Sequence, residues 1–156
     1  ASVSPVTVSP NCNLKLGEMF VDESELVDQV TVGMEIFDYR YGQAQIYSND
    51  AVADNAGAAA FAHGERVTAT QDILENLSTQ LMCNEESIES APLSAIRGNP
   101  WEALVLLSAL AAKQGLILKK DWIIFSGSAT KGVAMTSGNT YAVATPGLGT
   151  VKVQAK

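Results

Sequence analysis

The dipeptide Asn99-Pro100 constrains this chain more than any other feature. A hydrogen-bond-accepting side chain followed by a residue without an N–H is the chemistry of a helix start. Asn99 suits the N-cap and Pro100 the first helical position. The apolar run from Trp101 predicts a helix to about Lys113 and Gln114, with Gly115 as its stop. Its apolar faces are broad, so it is expected to be well buried.

Most of the remaining chain reads as strand and turn. Residues 1–9 alternate Ser, Val, Thr and Pro and form an extended arm; residues 10–156 then form a single domain. Ser24, followed by acids, predicts a short helix over 24–30. Residues 31–41 are β-branched and aromatic, which predicts a strand. Its alternation sets Glu35 on one face with Gly33 and Phe37, and Met34, Ile36 and Asp38 on the other. The segment 51–62 is rich in Ala and Gly around Asp54-Asn55 and reads as a tightly packed turn. Residues 66–90 read as two strands, with Leu77, Thr79, Leu81 and Cys83 along one face. Asp121 to Phe125 reads as a buried strand. Gly138-Asn139 reads as a hairpin turn between short strands, and Pro146-Gly147-Leu148-Gly149 as a turn before a closing strand over 150–154. Many strands and two helices make the class α+β, dominated by β.

Composition narrows the function. A chain of 156 residues can bury roughly 68–70% of its unfolded surface in one core. Net charge is −7, with fifteen of the seventeen acids in residues 1–90 and seven of the ten bases in residues 91–156. The bases form no cluster interleaved with aromatics, so nucleic acid is not the expected partner. No apolar run reaches the roughly 18 residues of a membrane span; the run from Ala103 to Ala112 is interrupted by Ser108 and ends at Lys113. Cys12 and Cys83 lack metal-type spacing and read as buried thiols, pairing only if the chain met an oxidising compartment. That pair and the sequon Asn76-Leu77-Ser78 leave secretion open. His63 has no evident triad partner and reads as a structural or surface residue.

Five segments in order carry a family resemblance. Met34-Glu35-Ile36-Phe37-Asp38-Tyr39-Arg40-Tyr41 is similar to a Glu-Ile-x-Asp-Ser-Arg strand. Val52-Ala53-Asp54-Asn55-Ala56-Gly57 is similar to a Val-Ala-Asp-Asn-Ala-Ser turn. Gly98-Asn99-Pro100 matches a Gly-Asn-Pro helix start. Phe125-Ser126-Gly127-Ser128 and Pro146-Gly147-Leu148-Gly149-Thr150-Val151 resemble Leu-Ser-Gly-Ser and Gly-Gly-Leu-Gly-Ser-Val segments. Together they resemble the C-terminal portion of the 2-oxopent-4-enoate hydratase and 4-oxalocrotonate decarboxylase-like branch of the fumarylacetoacetate hydrolase superfamily. The resemblance implies that superfamily's mixed β-roll with two short-to-medium helices. It also implies a 2-oxo acid or similar small anion as ligand, homo-oligomers and a cytoplasmic location. Members carry a further N-terminal region that supplies a lysine and an acidic partner. Nothing in this chain matches it, so association with a chain that supplies the region is the other expectation.

The resemblance also implies a site. The family holds magnesium or manganese on three carboxylates, two of them spaced Glu-x-Glu so that alternation aims both at one point. Here that pair reads Asn11 and Asn13, while Glu35 keeps the third position. One carboxylate and two amides carry −1 where the family carries −3, and charge supplies much of the affinity for a hard cation. The expectation is that no tight cation binds, the alternative being a weakly held magnesium or manganese. By the same resemblance Ser126, Gly127 and Ser128 line the pocket and bind the ligand carboxylate, with Asp54 and Asn55 orienting pocket groups. Lys131 reads as a solvated loop lysine. Two functions follow: a divergent lyase, hydratase or decarboxylase, acting on a 2-oxo acid or related dicarbonyl compound, or an inactive module of the same fold used for binding or structure.

Overall fold

The computed structural model describes residues 2–3, 27–38, 40–42, 45–70 and 72–156. Strands dominate these residues, with two α-helices among them, so the α+β, β-dominated expectation holds. The strands are β1 (Ser2–Val3), β2 (Gln29–Val30), β3 (Gly33–Phe37), β4 (Ala58–His63), β5 (Val67–Thr68), β6 (Ser78–Cys83), β7 (Glu86–Pro92), β8 (Thr140–Thr145) and β9 (Gly149–Gln154). The helices are α1 (Ser48–Ala53) and α2 (Pro100–Lys113). All described pairings are antiparallel, in sheets ordered β1-β3-β4, β2-β5 and β7-β6-β8-β9.

Period-two alternation builds the core. In the four-stranded sheet Leu81 lies opposite Val143, and Val143 opposite Val151, so one apolar row crosses three strands. Leu81 and Val143 are fully buried, and burying a side chain of that size contributes about 1.5–3 kcal/mol. The buried hydroxyls of Thr79 and Thr145 satisfy each other at 2.9 Å, as buried polar groups must. Val30 of β2, Val32 of the link that follows it and Met34 of β3 reach the same core, and Trp101 and Leu104 cover it from α2. The parity that buries Met34 turns Glu35 to the opposite face of β3, as the alternation predicts.

The predicted start of α2 is present: Asn99 Oδ1 accepts from the Trp101 amide at 3.0 Å, and Pro100 is the first helical residue. Its burial is not as expected. Pro100, Trp101, Leu104 and Ala111 are buried, but Val105, Leu106 and Leu110 are exposed on the other side. Residues 29–30, expected in a helix, pair instead as a strand with Val67–Thr68; Val27 and Val30 are both buried, and the cross-strand partner outweighs local helix signals. Residues 24–26 of that expectation lie outside the described residues, as do residue 1 and residues 4–9 of the arm. The buried strand over 121–125 is a correction too. Ile124 is buried, but Trp122 is 46% exposed and only Ile123 makes an isolated bridge. The segment 51–62 resolves into the end of α1, a tight turn over Asn55–Gly57, and β4. Gly138-Asn139 does turn into β8, but irregular chain rather than a strand precedes it.

Candidate functional site

Glu35 sits mid-strand on β3, opposite Ser2 on one side and Phe61 on the other. It is half-buried and lines two neighbouring cavities. The larger, about 450 Å³, is bounded by Glu35, Phe37, Asp38, Tyr41, Ile46, Ala51, Asp54, Ala56 and Gly57. The smaller, about 250 Å³, is bounded by Glu35, Asn55, the start of β4, Phe61 and Phe125. Apolar walls with a few convergent polar groups are the usual make-up of a small-molecule site.

The wall between Glu35 and α1 is a turn that needs unusual backbone. Asn55, Ala56 and Gly57 all have positive φ, at 52°, 54° and 74°. Two of them carry a Cβ, and left-handed residues of that kind cost roughly 1–2 kcal/mol each. Arg40 holds the turn from both ends. Its Nε lies 2.7 Å from Asp54 Oδ1, and its Nη2 donates to the Asp54 carbonyl at 2.9 Å and the Ala58 carbonyl at 3.2 Å. The Gly57 carbonyl also accepts from the Asp38 amide at 2.8 Å. A pairing irregularity between Ile36 and Phe37 sets Phe37 opposite Ala58 and brings Asp38 onto this turn. Gly57 is required here: besides its φ, an added Cβ would meet the Asp38 carbonyl at 3.3 Å. The turn thus places Asp54 in the larger cavity and Asn55 in the smaller.

Phe125 leads the predicted Ser126-Gly127-Ser128 segment into the same region, its ring edge against Phe61 with centroids 5.3 Å apart. Ser126 is half-buried, and Gly127 and Ser128 are more exposed. The Ser128 hydroxyl donates to the Thr130 carbonyl at 2.7 Å, closing a tight turn. Thr130 is buried, and its own Oγ1 has no hydrogen-bond partner. Gly132, a little further on, lies under the Phe37 ring; a Cβ there would come within 2.8 Å of it. The second sequence-predicted group therefore touches the Glu35 region through Phe125 and Phe37.

Asn11 and Asn13 lie outside the described residues. Among the described residues no group of three or more His, Cys, Asp or Glu side chains could hold a metal ion. His63 is exposed on Glu35's face of the sheet, its Nδ1 2.8 Å from the Gly64 carbonyl and its ring stacked on Phe61. Lys131 is exposed, and Cys83 is a free, half-buried thiol. No helix among the described residues is long and apolar enough to cross a membrane. The sequence reading missed Arg40 as the group that holds the turn, and Phe37 as a wall. The signal for Arg40 was its place two residues after Asp38, within a segment already singled out.

No family model matches the chain. Its sequence is 28% identical over 148 residues to 4-oxalocrotonate decarboxylase of Pseudomonas putida, covering 94% of this chain and 54% of that protein. It is 31% identical over 121 residues to 2-hydroxyhexa-2,4-dienoate hydratase of Comamonas testosteroni, covering 77% of this chain and 46% of that protein. The chain spans about half the length of these curated relatives. Among solved structures, 4-oxalocrotonate decarboxylase from Pseudomonas putida G7, complexed with magnesium and adipate, has a TM-score of 0.90 at 24% identity. That match covers 99% of this chain and 59% of the other.

Proposed function

We propose, from a chain that matches the C-terminal portion of the hydratases and decarboxylases of the fumarylacetoacetate hydrolase superfamily, that this domain is the pocket-bearing part of a divergent lyase. Its substrate is a 2-oxo acid or related dicarbonyl compound, and its reaction a hydration or decarboxylation. The observation that carries the reading is Glu35, a strand carboxylate shared by two cavities whose other walls include Asp54, Asn55 and Phe125.

The donor set implied by the resemblance would hold a hard cation weakly at most. Glu35 offers a carboxylate at a cavity wall, and by resemblance Asn11 and Asn13 add neutral amide oxygens. These three would hold magnesium or manganese with one negative charge between them. The chemistry such an ion supplies when bound is stabilisation of the negative charge that develops on an enolate. Phe37, Tyr41 and Ile46 give the larger cavity an apolar wall. The Arg40-held turn fixes Asp54 and Asn55 beside the substrate, and Ser126, Gly127 and Ser128 bind its carboxylate. No general base is assigned among the described residues; a positioned base contributes about 10²–10⁴-fold to such a reaction. A homo-oligomer and a cytoplasmic location are part of the same proposal.

The test is turnover of 2-oxo-acid substrates, followed by ultraviolet absorbance, in the wild type and Glu35→Gln. A drop of about tenfold or more in kcat is expected, equivalent to losing about 1.4 kcal/mol of transition-state stabilisation; full activity in Glu35→Gln sinks the reading. The neutral pair Asn11 and Asn13 favours a second reading, a binding module without turnover. It requires that millimolar magnesium or manganese leave the melting temperature unchanged, because any ligand selective for the native state raises it.

A further inference from the structure

We propose that the larger cavity selects a 2-oxo acid whose tail is uncharged and apolar, and turns away a dicarboxylate of the same length. This selectivity deepens the preceding reading and rests on it, because it takes the Glu35 cavities as the substrate site.

The two cavities divide such a substrate into a head and a tail. Glu35 is the wall they share. The smaller cavity runs to Phe125, which leads into the Ser126-Gly127-Ser128 segment assigned to the substrate carboxylate. A 2-oxo acid held at that end places its tail past Glu35, in the larger cavity. At about 450 Å³ the larger cavity is of ordinary size for a small-molecule site.

Two properties of the tail cavity decide what fits there. The first is apolar surface: Phe37, Tyr41, Ile46, Ala51 and Ala56 contribute to its walls. Tyr41 and Ile46 are large side chains that the fold leaves exposed, so an apolar tail removes their surface from water.

The second property is charge. Glu35, Asp38 and Asp54 bound the cavity, and no Lys, Arg or His is among the described residues that do. The sequence accounts for this, since its only Lys or Arg between Lys15 and Arg66 is Arg40. That guanidinium is committed to Asp54 Oδ1 at 2.7 Å and to two carbonyls of the turn. Arg40 therefore balances Asp54, and Glu35 belongs to the head end. Asp38 is the charge the tail meets. Lys131 neighbours Gly132, which underlies Phe37, but Lys131 does not bound the cavity. A terminal carboxylate brought here gives up hydration without gaining a cationic partner, and it faces a like charge. Asp38 is exposed, so salt screens the repulsion.

The experiment compares two acids of equal chain length, 2-oxohexanoate and 2-oxoadipate, which end in a methyl group and a carboxylate respectively. Calorimetric titration in millimolar magnesium, at low and high ionic strength, gives both dissociation constants for the wild type and Asp38→Asn. Circular dichroism establishes that the variant is folded; if it is not, the salt series on the wild type carries the test. The wild type at low salt is expected to bind 2-oxohexanoate about tenfold or more tightly than 2-oxoadipate. High salt narrows the gap. Asp38→Asn narrows it too, by strengthening 2-oxoadipate and leaving 2-oxohexanoate unchanged. Equal or tighter binding of 2-oxoadipate by the wild type would overturn the selectivity, give the tail a basic partner such as Lys131, and leave the 2-oxo-acid reading standing. A gap that neither salt nor Asp38→Asn alters would overturn Asp38 as its cause. Binding of neither acid at millimolar concentration would overturn the 2-oxo-acid reading, and the selectivity with it.

Discussion

Arg40 lies 2.7 Å from Asp54, and the same guanidinium reaches carbonyls on both sides of a three-residue left-handed turn. One planar fork therefore offsets part of the backbone cost of Asn55 and Ala56, and that turn separates the two cavities that share Glu35. Arg40→Ala is expected to lower stability by about 1 kcal/mol, the size of a partly exposed charged hydrogen bond. Arg40→Lys recovers little of it, because an ammonium cannot span three acceptors in a fixed plane. Urea denaturation measures the loss, and faster amide exchange at Gly57 would localise it. An unchanged midpoint in Arg40→Ala argues against the clamp.

Gly57→Ala is the companion experiment on the same turn. The added Cβ meets both a positive φ and the Asp38 carbonyl at 3.3 Å, so stability falls by about 1–2 kcal/mol. An equal or higher melting temperature would mean that the turn relaxes without cost.

Gly132→Ala tests how firmly Phe37 is set against its cavity. A Cβ 2.8 Å from the ring has to push the ring or its own backbone aside, and overpacking of this kind costs about 1–3 kcal/mol. If Phe37 forms a substrate wall, KM for a 2-oxo acid rises more than kcat falls. A loss of stability with unaltered kinetic constants would make the contact purely structural.

Thr130→Val should stabilise the chain or leave it unchanged. The buried Oγ1 of Thr130 has no partner, and such a group carries a desolvation penalty of about 1–3 kcal/mol that an isosteric methyl removes. A clear drop in the urea midpoint would show that the hydroxyl is satisfied in solution.

Thr79 and Thr145 make the opposite case. Thr79→Val leaves the Thr145 hydroxyl buried without its 2.9 Å acceptor, at a cost of about 1–3 kcal/mol. Thr145→Val in the same chain recovers part of that, and a double-mutant cycle gives the coupling. Strict additivity of the two substitutions would exclude the pairing.

The sequence by itself determined the elements whose signals are local. Asn99 and Pro100 set the start of α2 because the cap lies within the helix's own first turn. Thr79 and Leu81, like Met34 against Glu35, declared their faces because alternation is a property of the strand alone. Pro146-Gly147-Leu148-Gly149 announced the last hairpin. The Glu35 strand, the Asp54-Asn55 turn and the Ser126-Gly127-Ser128 segment were all legible as candidate site elements. Only the tertiary structure brought the Asp54-Asn55 turn and Phe125 to the cavities at Glu35, since residues 35, 54 and 125 meet through chain folding and not through spacing.

The tertiary structure also decided what depends on distant partners. Val30 became a strand residue because Val67 lies beside it, against its acidic, helix-like neighbours. Arg40's role depends on a carboxylate and two carbonyls that no local pattern reveals. The apolar breadth of α2 was plain in the sequence. Which half of it the core would cover, and that Val105, Leu106 and Leu110 would face outward, followed only from packing, because burial is settled by what lies opposite a side chain and not by the side chain itself.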